Sequence, residues 1–132
     1  GHGNRIRALL PVEDFVPAPG QGALVLQTRE DGAPGLDLWG PALDHARTAL
    51  AVRAERAAMR ALEGSCRTAV GAHAWHDGEH LVLVAERLRP DGTRRWRETA
   101  RIPLQSDVEA TAEALGHTVQ SRALADGEPV EN

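Results

Sequence analysis

The strongest nucleophile in the 132-residue sequence is its only cysteine, Cys66, in the run Leu62-Glu63-Gly64-Ser65-Cys66-Arg67. A thiolate can be alkylated, oxidised or bound to a metal, and neighbouring cations favour it. Arg60 and Arg67 supply such cations, whereas the negative end of a helix placed just before the run acts in the opposite direction. A lone cysteine is also commonly a small buried hydrophobe, and the residues alone leave both readings open. His73, His76 and His80 follow closely, and imidazole with thiolate is a zinc-type donor set. On a strand, however, side chains three apart face opposite sides, so His73 and His76 diverge and His80 falls across a turn. A solvated hairpin end is favoured over a metal site. Gly20-Gln21-Gly22 has the look of a phosphate loop, but a strand pattern follows it, which denies it the helix amino terminus such loops use. The residues themselves read as a tight turn.

Composition narrows the class. The chain is 42% hydrophobic and 26% charged, ordinary for a globular domain, and long enough for one compact domain or a smaller one plus part of another. All 15 basic residues are Arg, against 19 acidic ones, for a net charge of -4. That balance disfavours a general nucleic-acid binder, which displaces counterions with excess positive charge. Apolar runs such as Leu81-Val82-Leu83-Val84-Ala85 fall far short of the roughly 20 residues that cross a bilayer. No signal-peptide pattern is present and one cysteine makes no internal disulfide, so the expected setting is reducing and cytoplasmic.

Several elements must hold these groups. Phe15 to Gly22 is too rich in Pro and Gly for an element interior and reads as a shaped loop. Ala23 to Thr28 is apolar at consecutive positions, as in a strand buried on both faces, and Asp31 to Gly35 reads as a linker. Pro41 and Gly64 frame a helix over about 42–63. Its apolar stripe is Leu43, Ala46, Leu50, Ala54, Ala57 and Ala61, with Arg47, Glu55, Arg56 and Arg60 largely off it. Strands follow at about 67–76, 80–88 and 93–102, separated by Asp77-Gly78 and by Pro90-Asp91-Gly92. In the third, Trp96, Ala100 and Ile102 alternate with Arg and Thr, so the sheet should be covered on one side. A last helix, opened by the capping box Ser106-Asp107-Val108-Glu109, carries Val108, Ala112, Leu115, Val119 and Ala123 on one stripe and supplies the cover. The expected fold class is α+β: helix, three-stranded antiparallel meander, helix, with helices on one face, preceded by a loop and a strand left over from preceding domains.

Three ordered segments stand out. The first is Arg5-Ile6-Arg7-Ala8-Leu9-Leu10-Pro11 with Pro17-Ala18-Pro19-Gly20-Gln21-Gly22-Ala23-Leu24 and a strand ending in Arg29. The second is Asp44-His45-Ala46-Arg47-Thr48-Ala49-Leu50 with Ala54-Glu55-Arg56. The third is Leu62-Glu63-Gly64-Ser65-Cys66 with Val70-Gly71-Ala72. Together they resemble the porphobilinogen deaminase family, the hydroxymethylbilane synthases of tetrapyrrole biosynthesis, and the resemblance covers nearly the whole chain. It implies that residues 1–35 are the end of domain two and the strand returning to domain one, and that 36–132 form the cofactor-anchoring third domain. It also implies that Cys66 carries a dipyrromethane cofactor through a thioether, with Gln21 and Gly22 beside it and Glu55 and Arg56 positioning. Porphobilinogen is the implied substrate, the missing N-terminal domains are the implied partners, the full enzyme is a monomer, and the isolated chain is inactive. The family usually has Gly at Ser65 and Gln-Val-Pro at Arg67-Thr68-Ala69, so the anchor loop is altered.

Two other classes fit the element order. Double-stranded RNA-binding domains share it, but they need a basic start to the last helix where this chain has Asp107 and Glu109. A stand-alone module that binds a small ligand or senses oxidants through Cys66 is the other alternative. The 23–28 segment separates them: it packs within the chain in a module and lacks its sheet in a fragment.

Overall fold

Side-chain caps decide where the two long helices begin. In the computed structural model, which describes residues 1–32, 34–62 and 68–129, the elements run α1 (Leu36–Leu43), α2 (Ala46–Ala61), β1 (Val70–Asp77), β2 (His80–Leu88), β3 (Arg95–Pro103) and α3 (Val108–Ala125). His45 caps α2, its Nδ1 accepting from the Thr48 amide at 3.3 Å and lying 2.7 Å from Thr48 Oγ1. Asp107 caps α3 through the Ala110 amide at 3.0 Å, while Ser106 donates to the Pro103 carbonyl, so the expected capping box is replaced by a single Asp cap. The single helix expected over 42–63 is likewise divided. Pro41 lies inside the short α1 and not at the start of the long helix, and the chain turns at Asp44 and His45 before α2 begins.

The strands form one antiparallel meander in the order β1-β2-β3, with Asp77 opposite His80 across a two-residue turn. Both long helices lie on one face. Leu81, Leu83 and Ala85 of β2, with Ala72, Ala74, Trp96 and Ile102, meet an alanine-rich side of α2 and the Val108, Ala112, Val119 and Ala123 stripe of α3. Each fully buried Leu or Ile contributes about 1.5–3 kcal/mol. The helix pair is held close by absence of bulk: a Cβ on Gly116 would stand 2.4 Å from the Ala58 carbonyl oxygen and 2.8 Å from Ala61 Cβ. Arg87 closes one end of this core, donating to Gln120 Oε1 at 2.8 Å and to the Pro129 carbonyl at 2.9 Å. Nearby, Trp96 Nε1 donates to Asp126 Oδ2 at 2.7 Å, and Arg94 pairs with the same oxygen. Together they hold the Asp126 carboxyl below the usual carboxylate range, the Trp96 bond being the larger cause.

Two expectations are corrected here. The second face of the sheet is wet only in part: Arg95, Thr99 and Arg101 of β3 are exposed as expected, but Val84 and Glu86 of β2 are buried there. Glu86 pairs with Arg97 at 2.8 Å, Arg97 also donates to the Glu13 carbonyl, and Val16 presses on Gly71. An irregular segment covers part of a face that a periodic pattern marked as wet. Residues 23–28, expected as a strand, form none; Leu24 is 99% exposed and Val25 and Leu26 are mostly exposed, because this chain offers them no ladder partner.

Candidate functional site

The outer edge of β1 organises the site. An edge strand presents amides that need partners, and here they come from outside the sheet. The Ala72 amide donates to the Pro17 carbonyl at 3.0 Å, and the Ala74 amide donates to Glu55 Oε1 at 2.8 Å. Glu55 Oε2 accepts from the Gly20 amide at 2.7 Å, and His73 Nδ1 lies 3.3 Å from Oε1. Glu55 is 5% exposed, so a carboxylate that lies off the apolar stripe in the sequence is buried and fully used. His73 also stacks on Trp75, with ring centroids 5.7 Å apart.

Around this edge lies an open cleft of about 370 Å3. The 20–23 turn forms one wall, the first two turns of α2 another, and β1 the floor. Gly20 and Gly22 have φ of +75° and +82°, the left-handed region that glycine occupies without strain. No heavy atom stands within 4 Å of a Cβ position on Gly22, so its backbone faces open space. His76 Nε2 donates to the Arg47 carbonyl at 2.9 Å, while its Nδ1 is buried without a partner among the described residues. Arg47 and His45 line the same cleft. The site therefore combines Arg47, the Gln21 side chain and the open backbone of Gly22 around the engaged Glu55 carboxylate, a set suited to a polar ligand.

The match to known families decides the lineage. Residues 49–125 match the family described as porphobilinogen deaminase, C-terminal domain. The chain belongs to the porphobilinogen deaminase family. Curated porphobilinogen deaminases agree: one from Phenylobacterium zucineum is 47% identical over 119 residues, covering 88% of this chain and 36% of that protein. One from Caulobacter vibrioides is 45% identical over 130 residues, covering 96% and 39%. A third, from Caulobacter sp., is 50% identical over 115 residues, covering 86% and 35%. The chain thus spans well under half the length of these porphobilinogen deaminases.

Of the residues singled out in the sequence, Gln21, Gly22 and Glu55 come together at the cleft. Arg56 does not join them; it is exposed on α2. Cys66 lies outside the described residues. The last described residue before it, Leu62, is seven positions beyond Glu55, about 10 Å along a helical rise. The sequence reads His73 and His76 as a solvated hairpin end in preference to a metal site, and among the described residues no cluster of metal-ligating side chains occurs. Their roles beside Glu55 and Arg47 had no local signal. No helix among the described residues is long and apolar enough to cross a membrane.

Proposed function

We propose that this chain is the cofactor-anchoring part of a hydroxymethylbilane synthase, in which Cys66 holds a dipyrromethane through a thioether. In this reading four porphobilinogen units are joined on that anchor to give a linear tetrapyrrole. The observation that carries it is the family match across the segment that contains Cys66. The donor set of the cleft supports this reading: pyrroles bearing acetate and propionate chains call for a guanidinium and N–H donors, and Arg47 and Gln21 line the cleft, while the Gly20, Gln21 and Ala23 amides are spent within the chain. When bound, the cofactor supplies a nucleophilic pyrrole and a permanent tether for the growing chain.

What the chain's own residues contribute is attachment and position. Loss of ammonia from porphobilinogen would leave an electrophilic exocyclic carbon, to which the Cys66 sulfur would bond while the thiol's proton is balanced by protonation of the pyrrole nitrogen. So reactive a carbon needs no unusually acidic thiol. Gln21 and Gly22 face the cleft, and Glu55 and Arg56 position the elements around it. Residues 1–35 are read as the end of domain two and the return to domain one, and the rest as the third domain. The exposed 23–28 run supports that reading, because an apolar segment without its sheet is what a shared interface leaves behind when its other half is absent. Porphobilinogen is the substrate, the N-terminal domains are the partner, and the chain by itself is inactive.

The test is the denatured intact mass of the protein captured from its source cells by an antibody against this segment. A chain well beyond 132 residues, heavier by two pyrrole units that Cys66→Ser removes, is the expected result. An unmodified chain of this length would overturn the reading and favour a binding or thiol-sensing module.

A further inference from the structure

A buried carboxylate is costly unless its lone pairs are engaged. Glu55 engages them on two amides far apart in sequence, Gly20 at 2.7 Å and Ala74 at 2.8 Å. Along the same strand edge, the Ala72 amide reaches the Pro17 carbonyl at 3.0 Å. A Cβ on Gly71 would stand only 2.7 Å from the Val16 carbonyl oxygen. Residues 16–20 are thus packed against β1 at Gly71, bonded to it at Ala72, and linked to Ala74 through Glu55. Past them the fastening ends. The Ala23 amide turns back on the Gly20 carbonyl at 3.0 Å, and Leu24 projects almost wholly into solvent.

We propose that Glu55 is a positioning residue that locks the 16–22 loop onto α2 and the edge of β1, so that Gln21 and Gly22 travel with the C-terminal domain. The part of the chain fastened to this domain then includes residues 16–22, ahead of the free run that begins at 23–24, and does not start only near residue 35 where sequence composition puts it. Only the part Gln21 plays in ligand binding rests on the proposed function; the attachment itself does not.

A carboxylate is required for this. In Glu55→Gln a single oxygen remains to accept, and the amide nitrogen presents hydrogens to a second N–H, so one of the two bonds is lost. The loss should fall on Gly20, because Ala74 is held by its ladder with β2 while the loop has fewer ties.

The experiment is backbone NMR of the 132-residue chain, reading heteronuclear NOE and amide exchange. In the unaltered protein, Gly20 to Gly22 should match β1 in order and Leu24 to Thr28 should not. In Glu55→Gln, Gly20 exchange should rise on the order of 10–100-fold and its amide proton should move upfield as the charge-assisted bond goes, with β2 and β3 unchanged. Gly71→Ala, which pushes Val16 away, should loosen the same loop with Glu55 intact. Equal disorder of 20–22 and 24–28 in the unaltered chain would overturn the proposal, as would unchanged Gly20 exchange in Glu55→Gln. If Glu55→Gln does not fold, the unaltered chain and Gly71→Ala decide. None of these readouts depends on whether Cys66 is loaded, so a failure here is separate from a failure of the synthase reading.

Discussion

Gly116→Ala sets helix propensity against packing, and the structure indicates which wins. In an isolated helix the change is favourable by about 1 kcal/mol. In this fold the new methyl would sit 2.4 Å from the Ala58 carbonyl oxygen and 2.8 Å from Ala61 Cβ. Neither neighbour can rotate away, since one is backbone and the other has no side-chain torsion. To reach ordinary contact near 3.4 Å the helices must separate by about 1 Å, which forfeits a quarter to a half of the dispersion attraction along their seam. Overpacking of this kind costs up to about 3 kcal/mol, so the net loss should be about 2 kcal/mol. Urea unfolding followed by helical circular dichroism and Trp fluorescence reads it, with Ala114→Gly on the exposed side of α3 as a control expected to lose about 1 kcal/mol. A Gly116→Ala protein as stable as the unaltered chain would refute the close-approach argument.

Two further outcomes follow from buried polar contacts. Arg87→Ala removes the donor to Gln120 and to the Pro129 carbonyl and should lower stability by about 2–3 kcal/mol in the same assay, with Arg87→Lys recovering only part. Asp126→Asn tests the depressed carboxyl. A group whose folded pKa lies below its unfolded value of about 3.9 adds stability above that pH and loses it as pH falls through the folded value. The melting temperature of the unaltered chain should therefore drop more steeply than that of Asp126→Asn below about pH 4, with the two curves parallel above about pH 5. Parallel curves throughout would show that the Trp96 and Arg94 contacts contribute nothing in solution.

The regular elements were legible because their signals are local. Strand alternation through Trp96, Ala100 and Ile102, and the turn at Gly78, place the meander within a few residues. The α3 stripe is equally direct, with Gly116 joining it for want of a side chain. The start of α2 was missed because Pro41 suggests a helix start while His45 makes one through a hydrogen bond that no propensity encodes. Glu55 lies off the apolar stripe in the sequence, and its burial follows from partners, Gly20 and Ala74, that are remote in sequence. The cover over Val84 and Glu86 comes from an irregular segment with no period to read. For the site, residue types and resemblance pointed to Gln21 and Gly22, while the use of Glu55, His73 and His76 around them needed three-dimensional contacts. Cys66, the centre of the chemical reading, lies outside the described residues.

The topology also sets an order of events. The meander forms from neighbours, β1 with β2 across two residues and β2 with β3 across a short turn, whereas α2 finds α3 only across the whole sheet. Loop-closure entropy makes distant pairings slow, so docking of α3 onto α2 is expected to be the late step. Leu62 and Thr68 bracket the segment that bears Cys66, the first at the end of α2 and the second just before β1. Until α3 docks, α2 lacks the partner that its Ala58 and Ala61 meet at Gly116, so its last described turn is unanchored in a nascent chain. Whatever depends on a fixed end of α2 therefore waits on a pairing made late in folding.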